Sequence, residues 1–229
     1  MVFYWIFFFI PLSVIFYGRR LDVEGQRYAW LIVWILFTLI IGLRHQVGGD
    51  WYNYLRHFQV YGAKSFLEIF SGSDILYYTI NWFVAKIGGS VHLVNLFCAG
   101  VISAGLVRFC KSQPLPWLAL LVSIPYLVIV VAMGYTRQSA ALGFLLIGLV
   151  SLNEGKVRAF VVWVLLGAAF HKSAVLMLPI AALASTNNRL WSVFWVAIIT
   201  IVGGFFFLFD SAEKLWENYV ESGYHSEGG

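Results

Sequence analysis

The chain is short of charge. Among 229 residues Asp and Glu number 11 and Lys and Arg 15, so 11% are charged while 61% are apolar. A soluble domain carries about 25% charged residues. So little polar surface cannot cover a water-soluble globule, and the solvent that suits this chain is a bilayer. Cysteine is scarce too. Cys98 and Cys110 sit in apolar runs. On one helix they would stand about 18 Å apart by the helical rise, too far for a disulfide. No Cys/His zinc spacing occurs. There is no G-x-x-x-x-G-K-[ST] loop, no G-x-S-x-G elbow and no H-E-x-x-H helix, which excludes P-loop ATPases, elbow hydrolases and zincins. An Asp-x-Asp clamp for a metal nucleotide is also missing. Asp22-Val23-Glu24 comes nearest, but it lies in a basic loop. The net charge of +4 rests on few, scattered groups, which argues against a nucleic-acid partner. No metal and no cofactor are expected.

What the chain has is apolar runs and aromatics. The runs cover residues 2–17, 28–43, 75–87, 92–107, 117–133, 138–152, 157–170, 173–184 and 190–209. The first has neither a basic start nor a small-residue cleavage site, and reads as a retained anchor rather than a signal peptide. Several are shorter than the ~20 residues a straight span needs, so flanking interfacial residues would complete them. The expected fold is all-α: one polytopic membrane domain over residues 1–229, with about eight crossing helices.

Loop charge orients the ladder. Arg19, Arg20 and Arg27, then Arg108 and Lys111, then Lys156 and Arg158, then Arg189 fall in short loops. Such loops stay cytoplasmic. All four share that side only if residues 74–108 cross once, which makes the weaker segment, 75–87 with Asn81 and Lys86, re-entrant or interfacial. The outer side then receives the loop 44–74, the corner at Gly134 to Arg137, the corner at His171 and Lys172, and the acidic tail 210–229.

Each outer cluster has two readings. In Gly48-Gly49-Asp50-Trp51-Tyr52-Asn53-Tyr54, Asp50 is either a helix N-cap with an aromatic belt behind it, or part of a site. Asp50, Tyr54, His57 and Tyr61 recur at i, i+4, i+7 and i+11, which would put a carboxylate, two phenols and an imidazole on one face of an amphipathic outer helix. Trp51, Leu55 and Phe58 form the opposite, apolar stripe. Arg137 is either a snorkelling interfacial arginine or a phosphate ligand whose polarity Gln138 carries inward. His171 is either the turn before a Ser173 N-cap or a base whose unperturbed pKa lies near neutrality.

The ordered set Gly42-Leu43-Arg44, Gly48-Gly49-Asp50-Trp51-Tyr52-Asn53-Tyr54, Arg137-Gln138-Ser139-Ala140 and His171-Lys172-Ser173-Ala174 resembles the EpsG family of bacterial exopolysaccharide synthesis, akin to Wzy-type polymerases. Gly49 departs from the threonine common there, and Asp74 stands where the family often has an acidic residue. Members are commonly longer, so the chain is expected to lack its last membrane spans. The resemblance implies a multi-pass protein of the bacterial inner membrane. Its partners would be a polyprenyl-diphosphate-linked oligosaccharide, membrane lipid and polysaccharide assembly proteins. The implied reaction is metal-independent glycosyl transfer at the outer face. Arg44 and Arg137 would hold the diphosphate. Asp50 or His171 would deprotonate the attacking hydroxyl. Gln138, Lys172, Tyr52, Tyr54, His57 and Gly49 would line the substrate. The rival readings are a flippase for lipid-linked glycan, a membrane acyltransferase using His171, and a non-catalytic scaffold.

Overall fold

The computed structural model describes residues 2–17, 22–69 and 74–180, and beyond these only residues 191, 194, 197, 198 and 201. The expected segment 190–209 and tail 210–229, and the loop arginines Arg19, Arg20 and Arg189, therefore lie outside the described residues, apart from those isolated positions. Every regular element among the described residues is helical. In order they are α1 (Val2–Tyr17), α2 (Val23–Gly42), α3 (Trp51–Ala63), α4 (Phe66–Ile69), α5 (Ile75–Lys86), α6 (Val91–Lys111), α7 (Pro116–Ser123), a π-helical continuation (Ile124–Ala132), α8 (Thr136–Asn153), α9 (Val157–Phe170) and a 3₁₀ stretch (Lys172–Met177). Met1–Ala174 forms one compact unit and Val175–Gly229 a second. All that follows concerns the first.

Local chemistry sets the ends. Asp22 caps α2 by accepting the Gly25 N–H at 2.8 Å. Pro116 opens α7, where its missing N–H costs nothing. Arg108 and Lys111 close α6, where cations meet the negative end of the helix dipole.

The helices are apolar on both faces. In α2, Val33, Phe37 and Ile41 are buried, while Leu31, Ile32, Ile35 and Leu39 are exposed. Trp5, Phe9 and Phe16 on α1 and Phe97 on α6 are exposed as well. An outer surface as oily as the core requires lipid around it. By length and composition, only α2 and α6 are sufficient for a crossing on their own among the described residues; α1, α9 and the α7–π run are shorter apolar helices. The expected count of about eight crossings is therefore neither met nor overturned among the described residues, where two helices suffice alone and three apolar helices are shorter. The expected single helix over 117–133 changes its winding: α-helical winding gives way to π winding at Ile124-Pro125.

The core is a bundle of α2, α6, α8 and α9. Beside it, Phe7 of α1, Phe37 of α2, Ile102 of α6, Leu120 of α7 and Ile124 of the π stretch share one apolar cluster. α6 and α8 meet backbone to backbone. A Cβ on Gly105 would collide with the Gly143 main chain, and one on Gly143 would lie 2.6 Å from the Val101 carbonyl oxygen. Small residues permit this approach between membrane helices.

The directions matter more than the count. The end of α2, the start of α6 and the start of α8 meet, because Arg44 bonds Thr136 and Thr136 bonds Asn95. So α6 and α8 run the same way, and α2 runs against both. α5 starts at Asp74, which is bonded to Arg137 at that same end, and leads through a short turn into α6. With 12 residues, α5 is about 18 Å long. Arg44, Asp74 and the start of α6 therefore all lie at one end of the bundle.

Candidate active site

The site is assembled at the end of the bundle where α2 stops and α6 and α8 begin. Arg44 follows α2 directly and is buried. Its Nη1 donates to the Ile41 carbonyl at 2.7 Å, on the last turn of α2. That carbonyl would otherwise lack an intrahelical partner, and a cation suits this end of the dipole. Its Nη2 donates to Thr136 Oγ1 at 2.6 Å, and the Thr136 hydroxyl donates to Asn95 Oδ1 at 3.3 Å. One guanidinium thus pins three helix ends together.

Arg137, the next residue along, points into a different group. Its Nη1 donates to Asp74 Oδ2 at 2.7 Å and to the Tyr78 hydroxyl at 3.4 Å. The guanidinium carbon lies 5.8 Å from the centre of the Tyr77 ring. The Asp74 side chain is only 4% exposed and that of Arg137 is 27% exposed, so the pair is shielded but open on the arginine side.

α3 lies against α5 through an aromatic face. Tyr61 stacks on Tyr78 with ring centres 3.8 Å apart and planes 8° from parallel. His57 meets Tyr78 edge-on at 5.8 Å, and Tyr54 meets Tyr77 at 6.1 Å. The periodic face Tyr54, His57, Tyr61 therefore exists, and it is turned to α5 and the Arg137–Asp74 pair. Trp51, on the stripe expected to be merely apolar, is buried between His45 and His92, at 5.3 and 5.6 Å.

Asp50 occupies the N-cap position of α3, yet its side chain makes no cap hydrogen bond. Its Oδ1 accepts instead from Asn53 Nδ2 at 3.3 Å. Two glycines precede it. Gly48 adopts φ +94°, and a Cβ there would sit 2.8 Å from the Met133 carbonyl oxygen, so this position needs glycine twice over. Gly49 is exposed with nothing near its missing side chain. Tyr52, Gln138 and Lys172 are exposed. His171 ends α9 in extended backbone and is half-buried.

Electrostatics links the parts. Burial lowers the His171 imidazole below its usual range; Asp74 opposes the shift, and Arg137 and Lys172 reinforce it. His57 is lowered by burial first, then by Arg137 and Arg56. Both rings are therefore neutral at pH 7 and able to accept a proton. Burial raises the Tyr54 phenol, with Asp50 adding to the shift and Arg137 opposing it. Asp74 and Arg137 thus act on both histidines, and Arg44, Tyr54, His57, Arg137 and His171 share one electrostatic neighbourhood. Asp50 borders it through Tyr54 and His57. Tyr52, Gln138 and Gly49 make no hydrogen bond to the Arg137–Asp74 pair among the described residues.

Several buried polar atoms here lack a hydrogen-bond partner among the described residues: Arg44 Nε, Asp74 Oδ1, His57 Nδ1, His171 Nδ1 and Asn95 Nδ2. Each such atom costs about 1–3 kcal/mol when left unmade, and native proteins hold few of them. These five lie on the residues that build this end of the bundle. Asp74, Tyr77, Tyr78 and Thr136 were not among the expected site residues. The signal for Asp74 was its place before α5 together with an arginine in need of a counterion.

Residues 27–229 match the EpsG family model, and the chain belongs to the EpsG family. No curated protein and no solved structure matches it. With its apolar helices and its family, it is a membrane protein.

Proposed function

We propose that this chain is a polysaccharide polymerase that joins polyprenyl-diphosphate-linked glycan units at the outer face of the bacterial inner membrane, in exopolysaccharide, capsule or O-antigen synthesis. The observation that carries the reading is the Arg137–Asp74 pair. It holds a guanidinium, open on one side, at the polar end of a lipid-facing bundle and beside two neutral imidazoles. A planar fork with charge suits a diphosphate.

In this proposal Arg137 exchanges its bond to Asp74 for the diphosphate of the donor. It stabilises the charge that grows on the leaving oxygen as the bond from the anomeric carbon breaks. Arg44 keeps its two bonds and adds fixed positive charge, so its role is to position the start of α8. His171 takes the proton of the attacking sugar hydroxyl as the new glycosidic bond forms. The polyprenyl diphosphate departs with the electron pair. Asp50 orients the start of α3 and biases Tyr54 and His57. Tyr52, Gln138 and Lys172, being exposed, face the sugars, and Gly49 leaves them room.

The test is purified full-length protein with lipid-linked repeat units. The reading expects a ladder of lengthened glycans that disappears in Arg137→Lys while the protein stays folded. Unchanged chain lengths in that variant would sink it. Movement of lipid-linked glycan across a vesicle without chain growth would favour a flippase.

A further inference from the structure

At the opposite end of the bundle, where α2 begins and α6 and α8 end, lies a cavity of about 750 Å³. No step of the proposed reaction uses it. Its floor is apolar, with Trp30, Trp34 and Val107 in the wall, and Trp34 is fixed by a 3.1 Å bond from its Nε1 to the Gly100 carbonyl. Its rim carries Arg27, Arg108 and Lys111. Two acidic side chains also line it, Glu24 and Glu154. Glu154 is held by Lys156 at 2.6 Å, outside the lining, and by Arg108 at 3.9 Å. With Lys156 included, four cations face two acids. The excess is positive, and it sits where an oily wall meets the ends of membrane helices.

That arrangement is two-faced, as a lipid is. An acyl chain matches the tryptophan wall, and a phosphodiester matches the cationic rim. Basic pockets between membrane helices at a membrane surface bind anionic headgroups. Arginine donates in pairs to phosphate oxygens, and lysine supplies a point charge. The geometry points to a binding site for an anionic phospholipid at this end of the α2–α6–α8 bundle, separate from the Arg137–Asp74 site and independent of the polymerase reading. A lipid seated there ties α2 to α6 and α8 at the end that lacks the Arg44 clamp.

Native mass spectrometry of the detergent-purified full chain tests it, with phosphatidylglycerol, phosphatidylcholine or inorganic phosphate added. The site expects phosphatidylglycerol to be retained over phosphatidylcholine. Arg27→Gln and Lys111→Gln should each weaken retention, roughly fivefold per cation removed. Glu24→Gln should strengthen it by a similar factor, a gain that misfolding cannot imitate. Equal retention of the two lipids, or no change in all three variants, would overturn the proposal. Displacement of phosphatidylglycerol by inorganic phosphate at equal concentration would assign the rim to a free anion and overturn the lipid.

Discussion

Arg137 Nη1 lies 2.7 Å from Asp74 Oδ2, across 63 residues of chain. The carboxylate is almost fully buried and the arginine is partly open. Removing one member of such a pair leaves a buried charge alone, which costs about 3–5 kcal/mol in a closed interior. Partial exposure of Arg137 reduces that figure. We expect Arg137→Ala to lower thermal stability clearly and Asp74→Asn less, since the amide still accepts from Arg137. Arg137→Lys keeps the charge and loses the fork. It should stay folded and lose at least tenfold in chain-lengthening rate. Melting curves and glycan ladders on the same preparations separate the two effects.

Arg44 predicts a different outcome. Its bonds to the Ile41 carbonyl and Thr136 Oγ1 are structural. Thr136→Val removes an acceptor from a buried cation, and bonds to charged groups are worth about 1.5–3 kcal/mol. Arg44→Lys and Thr136→Val should therefore destabilise by less together than the sum of each alone. An additive double-mutant cycle would contradict the clamp.

The paired glycines before Asp50 should behave oppositely. Gly49→Ala meets open space in the protein and should leave stability unchanged. Gly48→Ala combines a positive φ with a clash against Met133 and should destabilise by more than 1 kcal/mol, as strained backbone sites do. Thermal melts of the two variants in one detergent give the comparison.

Gly105→Ala and Gly143→Ala should both disturb the α6–α8 contact, since added methyls in tight packing cost about 1–3 kcal/mol. Gly134→Ala, with nothing near its missing side chain, serves as the neutral control.

The depressed imidazoles set the pH response. His171 must be neutral to accept a proton, and burial lowers its pKa. Activity should rise with pH along an acidic limb whose midpoint lies below the ordinary histidine value near 6.5. The sign for stability follows. A pKa lower in the folded than in the unfolded chain means that protons favour unfolding. The contribution of His171 is thus complete above the unfolded value and lost as pH falls through the folded one. His57→Gln should keep the acidic limb of the rate profile, whereas His171→Gln should remove the activity that shows it. A limb that survives in a still-active His171→Gln protein would contradict the role.

Much of this end of the molecule was legible from residue order. Arg44, Arg137 and His171 each interrupt an apolar run, and loop charge put them on one side. The periodic Tyr54, His57 and Tyr61 also marked a real helix face. What faces it was not legible, because Tyr77 and Tyr78 meet that face only through the packing of α3 on α5. Asp74 was noted as the family's acidic position but not as a site residue, because nothing local reveals an arginine 63 residues away. The change of winding at Ile124 was not legible either, because hydropathy does not register it.

The parallel run of α6 and α8 bears on how the chain is made. Asp74 leaves the ribosome 63 residues before Arg137, which at cellular synthesis rates of about 5–20 residues per second is a delay of about 3–13 s. The Gly105–Gly143 contact cannot close until α8 has been made. For that interval Asp74 and Arg44 have no partner at the α8 start. Both bonds at this end of the bundle therefore close only once Thr136 and Arg137 have been made.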